Sequence, residues 1–193
     1  LAAERPVYGG TLRYVDALGV KTLDPHHRQD TSEQNVTFAI FDNLAEVDGN
    51  FNVVPSLASS WEFSANGKDV KFRLQKGVKF HDGTDFNAQA DKWNLDKVVD
   101  PNFGSRMRSS LQPFVTSVEA VDNDTIIMHL NKPYRPLMGS MGLSDFRVIS
   151  PSGWEKYGKD NFGRNPVGTG PFKLKEWVIG DQITLVRFDN YWE

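Results

Sequence analysis

The chain has 193 residues, 39% of them hydrophobic and 24% charged, with a net charge of −3. That length can bury a substantial core, and singly scattered Lys and Arg argue against a nucleic-acid or anionic-membrane surface. Cysteine is absent, which excludes disulfides, thiol nucleophiles and Cys-ligated zinc or iron–sulfur sites, and no apolar run approaches the length of a membrane span.

Leu1-Ala2-Ala3 resembles the small-residue remnant beside a signal cleavage site, and residues 1–9 read as a polar lead-in. Gly10 to Val15 is expected as a short strand. Asp24 before Pro25 is pushed towards extended geometry, which closes the next loop. Thr31 with Gln34 fits a capping box, and Val36, Ala39, Ile40, Asn43, Leu44 and Val47 follow at helical spacing, so a helix is predicted over about 32–45. Asp48-Gly49-Asn50 is a turn. The stretch from Pro55 to Thr84 reads as a β-hairpin turning at Asn66-Gly67, with Val70, Phe72 and Leu74 on a dry face and Asp69, Lys71 and Arg73 on a wet one. Trp61 and Phe72 are its expected core anchors. Asn87 is placed to cap a helix over roughly 88–98 that turns Ala90, Trp93 and Val98 inward and stops at Asp100-Pro101. Asp122-Asn123-Asp124 joins the strands of a second hairpin, with His129 on its wet face. Short helices are expected after Pro133 and Pro151, with a strand at Phe146–Ile149 between them. A third hairpin runs from Pro171 to Phe188 through Gly180-Asp181. Apolar residues on both its faces predict that one of its strands is central. Tyr191 and Trp192 close the chain where polar residues are usual, which predicts a cut end.

No catalytic set emerges from this pass. His81-Asp82 invites a metal or acid–base reading, but no second His or Glu stands at ligand spacing, so a turn is expected. His26-His27 after a proline reads as a polar loop. Gly168-Thr169-Gly170 lacks the lysine and strand–helix context of a phosphate loop, so a tight backbone crossing is expected there. Ser59-Ser60 and Ser109-Ser110 lack the glycine elbow of a serine hydrolase. Core filling is expected of at least three of the five tryptophans. No metal or cofactor is implied.

Four stretches occur in a fixed order. They are Thr22-Leu23-Asp24-Pro25 with Phe41-Asp42-Asn43-Leu44; Pro55-Ser56-Leu57-Ala58-Ser59-Ser60-Trp61-Glu62 through Phe80-His81-Asp82-Gly83-Thr84; Val118-Glu119-Ala120-Val121-Asp122 through Asn131-Lys132-Pro133; and Asn165-Pro166-Val167-Gly168-Thr169-Gly170-Pro171-Phe172 with Trp177 and Tyr191-Trp192. Together they resemble the family-5 extracellular solute-binding proteins of ABC transporters, the dipeptide-, oligopeptide- and nickel-binding relatives. The resemblance implies an α/β (mixed α+β) fold of the type II periplasmic-binding-protein kind. It is present only in part, as an N-terminal fragment lacking the opposing lobe. It divides the chain into the first part of lobe I (1–46), a small β-rich inserted domain (47–163) and a return into lobe I (164–193).

The function implied is capture of a solute outside the cytoplasmic membrane, with peptides favoured, and delivery to an ABC permease, without catalysis. The partners implied are a small-molecule or peptide ligand and membrane permease subunits. The full-length protein is expected to be monomeric and periplasmic, or anchored outside the cell as a lipoprotein. Cleft-lining residues are expected in the loop before the first helix, Gln29, Asp30, Thr31 and Ser32, where helix N–H groups point outward. The inserted domain is expected to reach the ligand through Ser105, Arg106 and Met107. The alternatives are a non-transport carbohydrate-binding or sensor module using exposed tryptophans, and a metal enzyme at His81-Asp82.

Overall fold

The computed structural model describes residues 9–16, 19–28, 30–143 and 146–193. The first half holds α1 (Thr31–Ile40), β1 (Ala45–Val47), β2 (Val53–Pro55), β3 (Ala58–Phe63), β4 (Asp69–Leu74) and α2 (Ala88–Val99). The second holds α3 (Arg108–Leu111), β5 (Val115–Ala120), β6 (Thr125–Leu130), α4 (Leu137–Leu143), α5 (Pro151–Phe162), β7 (Phe172–Val178) and β8 (Gln182–Arg187).

β3, β4, β6 and β5 form one antiparallel sheet in that order, while β1–β2 and β7–β8 are two-stranded ladders. Pairing sets Trp61 opposite Phe72, Phe72 opposite Ile126, and Ile126 opposite Ala120. The same register aligns Phe63, Val70, Met128 and Val118. Opposite residues share a face, so these eight form one apolar layer across four strands. Val70, Phe72, Ile126 and Met128 are fully buried in it. The reverse face carries Glu62, Lys71, Asp69 and His129, and His129 Nδ1 lies 2.8 Å from Asp69 Oδ1. The alternation legible in the sequence is thus borne out.

The hairpin turns at Asn66-Gly67 as expected. Gly67 alone takes the left-handed conformation (φ 68°), and its N–H reaches the Ser64 carbonyl at 2.8 Å. The turn is therefore longer than a two-residue primed turn, which requires positive φ at both central positions. Trp61 is half-buried against the core rather than enclosed by it, because β3 is an edge strand.

The cap of α1 stands one residue earlier than expected. Asp30, not Thr31, is the N-cap: its side chain accepts from the Glu33 N–H, and the Glu33 side chain reaches back to the Asp30 N–H. The helix also ends at Ile40 rather than running to 45. The Gly170 N–H binds the Ile40 carbonyl at 2.9 Å. The carbonyls of Asn43 and Leu44 then turn to the N–H groups of Leu57 and Ala58, so the chain leaves the helix to pair with another segment.

α2 matches its expected span. Asn87 caps it by accepting from the Gln89 and Ala90 N–H groups, and Asp100 ends it. Ala90 and Val98 are buried, while Trp93 is half-buried. Phe146–Ile149 is buried but forms no strand. Asn94 holds Ile149 at both backbone groups, donating to its carbonyl and accepting its N–H at 2.9 Å each. The Val148 N–H goes to the Asp42 carbonyl. A side-chain amide and a loop carbonyl thus satisfy the groups a ladder would have used.

Two other strand expectations fail. Residues 10–15 join no ladder among the described residues, and Leu12 and Val15 are more than nine-tenths exposed. An extended segment without a neighbour leaves its peptide groups to solvent. β7 and β8 pair only with each other among the described residues, so neither is central. Apolar alternation on both faces records what could be buried, not what covers it.

Asp91 on α2 is the anomaly of the core. It is buried, neither carboxylate oxygen has a hydrogen-bond partner, and burial pushes its pKa up to about 8. A raised folded-state pKa makes its contribution present below pH 4 and progressively lost as pH rises to about 8. Urea midpoints measured between pH 5 and 8 are therefore expected to fall less steeply in Asp91→Asn than in the unaltered chain; equal slopes would show Asp91 to be ionised in the fold. In the sheet, Phe72→Ala is expected to cost ~3–5 kcal/mol, and Trp61→Ala clearly less, by the same denaturation measurement.

Candidate functional site

The loop before α1 is held from within. The Glu33 carboxylate accepts the N–H groups of Lys21 (2.9 Å) and Thr22 (3.1 Å) as well as that of Asp30, which ties the incoming chain to the first helical turn. Arg28 Nη1 donates to the Asp30 carbonyl at 2.8 Å. Of the residues expected to line a cleft, Gln29 lies outside the described residues. Asp30 caps the helix, Thr31 is exposed, and Ser32 is buried and donates to Asp16 Oδ1 at 2.5 Å. The helix N–H groups are therefore shared with Asp30 rather than wholly open.

The second expected segment is brought against the turn that precedes the first. The Arg106 N–H donates to the His26 carbonyl at 3.0 Å. His26 Nδ1 lies 3.2 Å from Ser105 Oγ, which also accepts the Met107 N–H. His27 Nδ1 meets Asp24 Oδ2 and Nε2 meets the Phe103 carbonyl, both at 2.8 Å. The second candidate segment is thus pinned to the His26-His27 turn, read as a polar loop. His26 is 1% exposed. No local pattern signals this role, because the partners stand 76 and 79 residues away along the chain. Arg106 is exposed, and Met107 is half-buried at the start of α3.

A second polar cluster sits at the exit of α1. Asp42 Oδ2 accepts from Thr169 Oγ1 (2.8 Å) and Trp192 Nε1 (3.1 Å), and the Tyr191 hydroxyl lies 3.5 Å from Oδ1. Burial pushes the Asp42 carboxyl up, opposed by the bonds from Trp192 and Thr169 and by the charge of Arg147. Arg147 itself donates to the Phe41 carbonyl (2.9 Å) and Glu46 Oε1 (2.7 Å) and lies over the Phe38 ring at 4.1 Å. Three sequence stretches far apart in the chain therefore converge on one carboxylate.

His81 and Asp82 serve separate partners. The His81 ring is sandwiched against the crossing: Nε2 is 2.9 Å from the Gly170 carbonyl, and Nδ1 accepts the Gly168 N–H at 3.4 Å. Asp82 accepts from Ser150, Ser152 and Thr84 at 2.6–2.7 Å, bracing the start of α5. Among the described residues no group of three or more His, Cys, Asp or Glu is arranged to hold a metal ion. The crossing expected at Gly168–Gly170 is present: a Cβ on Gly168 would stand 2.2 Å from the Ile40 carbonyl oxygen. All five tryptophans pack against the core with part of each ring exposed. A further groove of about 370 Å³ lies between the end of α5 and β7, where the Arg164 guanidinium covers the Trp177 ring at 3.8 Å.

Residues 52–193 match the model of the bacterial extracellular solute-binding proteins, family 5 Middle. The chain belongs to this family. It is 36% identical over 172 residues to the glutathione-binding protein GsiB of Escherichia coli O1:K1, covering 89% of this chain and 33% of GsiB. The structure of AgaA from A. tumefacien R10 with agropinic acid superposes with a TM-score of 0.83 at 29% identity, covering 90% of this chain and 35% of that one. The periplasmic binding protein DppA of Helicobacter pylori, in complex with the peptide STSA, superposes at 0.80 with 27% identity, covering 91% and 39%. The fold is that of part of a periplasmic binding protein, and the chain spans about a third of the length of the curated relatives it matches. These family-5 relatives are substrate-binding proteins rather than enzymes. No helix among the described residues is long and apolar enough to cross a membrane.

The His81 geometry has a pH signature. Burial lowers its pKa below 6.5, and the added proton would have to sit on Nδ1, facing the Gly168 N–H. A lowered folded-state pKa gives stability that is full above pH 6.5 and lost as pH falls through the folded-state value. His81→Asn is expected to lose less stability than the unaltered chain between pH 7 and 5, by thermal unfolding at each pH. An identical loss would place the titrating group elsewhere.

Proposed function

We propose that this chain is part of the extracytoplasmic binding component of an ABC importer, and that the solute it captures is a short peptide. The supporting observation is a likeness over nine-tenths of the chain to family-5 proteins, among them one named for binding glutathione and one holding the peptide STSA. The chain works by binding and release rather than by catalysis, with a permease in the membrane as its recipient. The division into residues 1–46, 47–163 and 164–193 fits this reading. β3–β6 form a self-contained sheet within the middle part, and the crossing at Gly168–Gly170 returns the chain to α1.

In this reading Gln29, Asp30, Thr31 and Ser32 border the ligand from the α1 side, and Arg106 and Met107 from the inserted domain. The hydrogen bonds from Ser105 and Arg106 to His26 support it, because His26 stands a few residues ahead of the loop before α1. Family-5 proteins holding different solutes share this scaffold, so the solute is chosen by the loops, not by the sheet.

Calorimetric titration of the full-length protein tests the assignment. Glutathione, Met-Leu and a tetrapeptide are offered, and at least one is expected to bind with micromolar or tighter affinity, on the order of −8 kcal/mol. Binding of agropinic acid with no response to any of the three peptides would overturn the peptide class while keeping the solute-binding role.

A further inference from the structure

His27 has an acceptor at each ring nitrogen: the Asp24 carboxylate at Nδ1 and the Phe103 carbonyl at Nε2, both at 2.8 Å. A neutral imidazole has one N–H, so it must turn a lone pair towards one of these oxygens, whereas the imidazolium donates to both. The arrangement selects the cation. Asp24 faces the ring from its own loop, and Lys159 of α5 opposes it with like charge. The Phe103 ring meets it edge-on at 5.3 Å, and Trp154 of α5 stacks over it at 6.2 Å with 17° between planes. The bond to Asp24 outweighs burial and Lys159, and the His27 pKa is raised above 6.5.

Behind this contact lies a continuous chain of bonds to the second loop. Arg106 N–H reaches the His26 carbonyl, His26 Nδ1 meets Ser105 Oγ, and Ser105 Oγ accepts the Met107 N–H. Phe103 is 4% exposed and Ser105 is 6% exposed, so the loop is seated on the histidines rather than draped over them.

We propose that His27 is a positioning residue: bonded through both ring nitrogens, it locks the Phe103–Met107 loop against the loop that leads into α1, and its deprotonation frees that loop and weakens solute capture. The lock stands on the geometry above, while the effect on capture rests on the solute-binding reading. His27 itself needs no contact with the solute.

Amide hydrogen exchange tests the lock. In the unaltered protein, protection of the Arg106 and Met107 N–H groups is expected to fall about tenfold as pH rises through the His27 titration followed by NMR of its ring. Protection of the Leu74 N–H in β4 is expected to stay level. His27→Gln, uncharged at every pH, is expected to show the loosened loop throughout and no such step. Protection at Arg106 and Met107 that ignores the His27 titration overturns the lock, and this arm needs no variant to fold. For capture, the full-length protein is titrated with glutathione and Met-Leu at pH 5.5 and 8.5. About tenfold weaker peptide binding at the higher pH is expected, absent in His27→Gln. Binding equal at both pH values despite the exchange step overturns the coupling to capture. A protein that binds neither peptide at either pH overturns the solute class proposed above, a result distinct from loss of the exchange step.

Discussion

The backbone of Gly168 and Gly170 lies directly on the last carbonyl of α1, and much of the long-range order follows from that crossing. A Cβ at Gly170 would stand 2.6 Å from the Ile40 carbonyl carbon, and one at Gly168 closer still to its oxygen. Contact this close is open only to glycine. It allows the Gly170 N–H to end the helix, lets the His81 ring bridge the two glycines, and carries Thr169 to Asp42. Three segments distant in sequence are thereby fastened at one place. Ser150 N–H bonds the Val167 carbonyl beside it, so the start of α5 is set by the same crossing.

The crossing also explains why a carboxylate can be buried there. Asp42 is removed from water, which alone favours its neutral form, but Thr169 and Trp192 donate to it and Arg147 lies near. A buried charge is tolerable where its lone pairs are met, and removing one partner costs more than the pair contributes. Asp91 shows the contrast: it is buried, neither oxygen has a donor, and burial alone pushes its pKa up to about 8. Asp42 beyond the end of α1 and Asp91 on α2 thus differ in what surrounds them: side-chain donors and a cation oppose the effect of burial at the first, and nothing opposes it at the second.

Local features of the fold were legible in the sequence. The dry and wet faces of β4 followed from the alternation of Val70, Phe72 and Leu74 with Lys71 and Arg73, and the span of α2 from Asn87 and Asp100. Errors arose where a distant partner overrode a local pattern. Helical spacing continues past Ile40, yet Gly170 claims its carbonyl. The buried stretch at Phe146–Ile149 has strand chemistry, yet Asn94 and Asp42 supply its hydrogen bonds. The cap slipped by one residue because Asp30–Glu33 and Thr31–Gln34 both satisfy the same spacing; only the Glu33 contacts with Lys21 and Thr22 distinguish them. In the candidate site, the loop before α1 was legible from its cap chemistry. The role of His26 and His27 was not, since adjacent histidines carry no periodic signal and their partners enter only through the fold.

The scaffold and the two candidate loops are therefore held by different kinds of interaction. The crossing, the Asp42 cluster and the four-stranded layer depend on steric exclusion and buried bonds that admit few substitutions. Relatives in complex with agropinic acid and with a peptide keep this scaffold at TM-scores of 0.83 and 0.80, although sequence identity is below a third. The loops at 24–28 and 103–107 are held by hydrogen bonds to backbone groups and by one titratable ring. Such bonds fix where a loop sits while Thr31 at the start of α1 stays exposed. An exposed side chain of this kind can change at little cost to folding. The same separation lets the attachment of a loop respond to protonation at His27 while the sheet and the crossing stay unaltered.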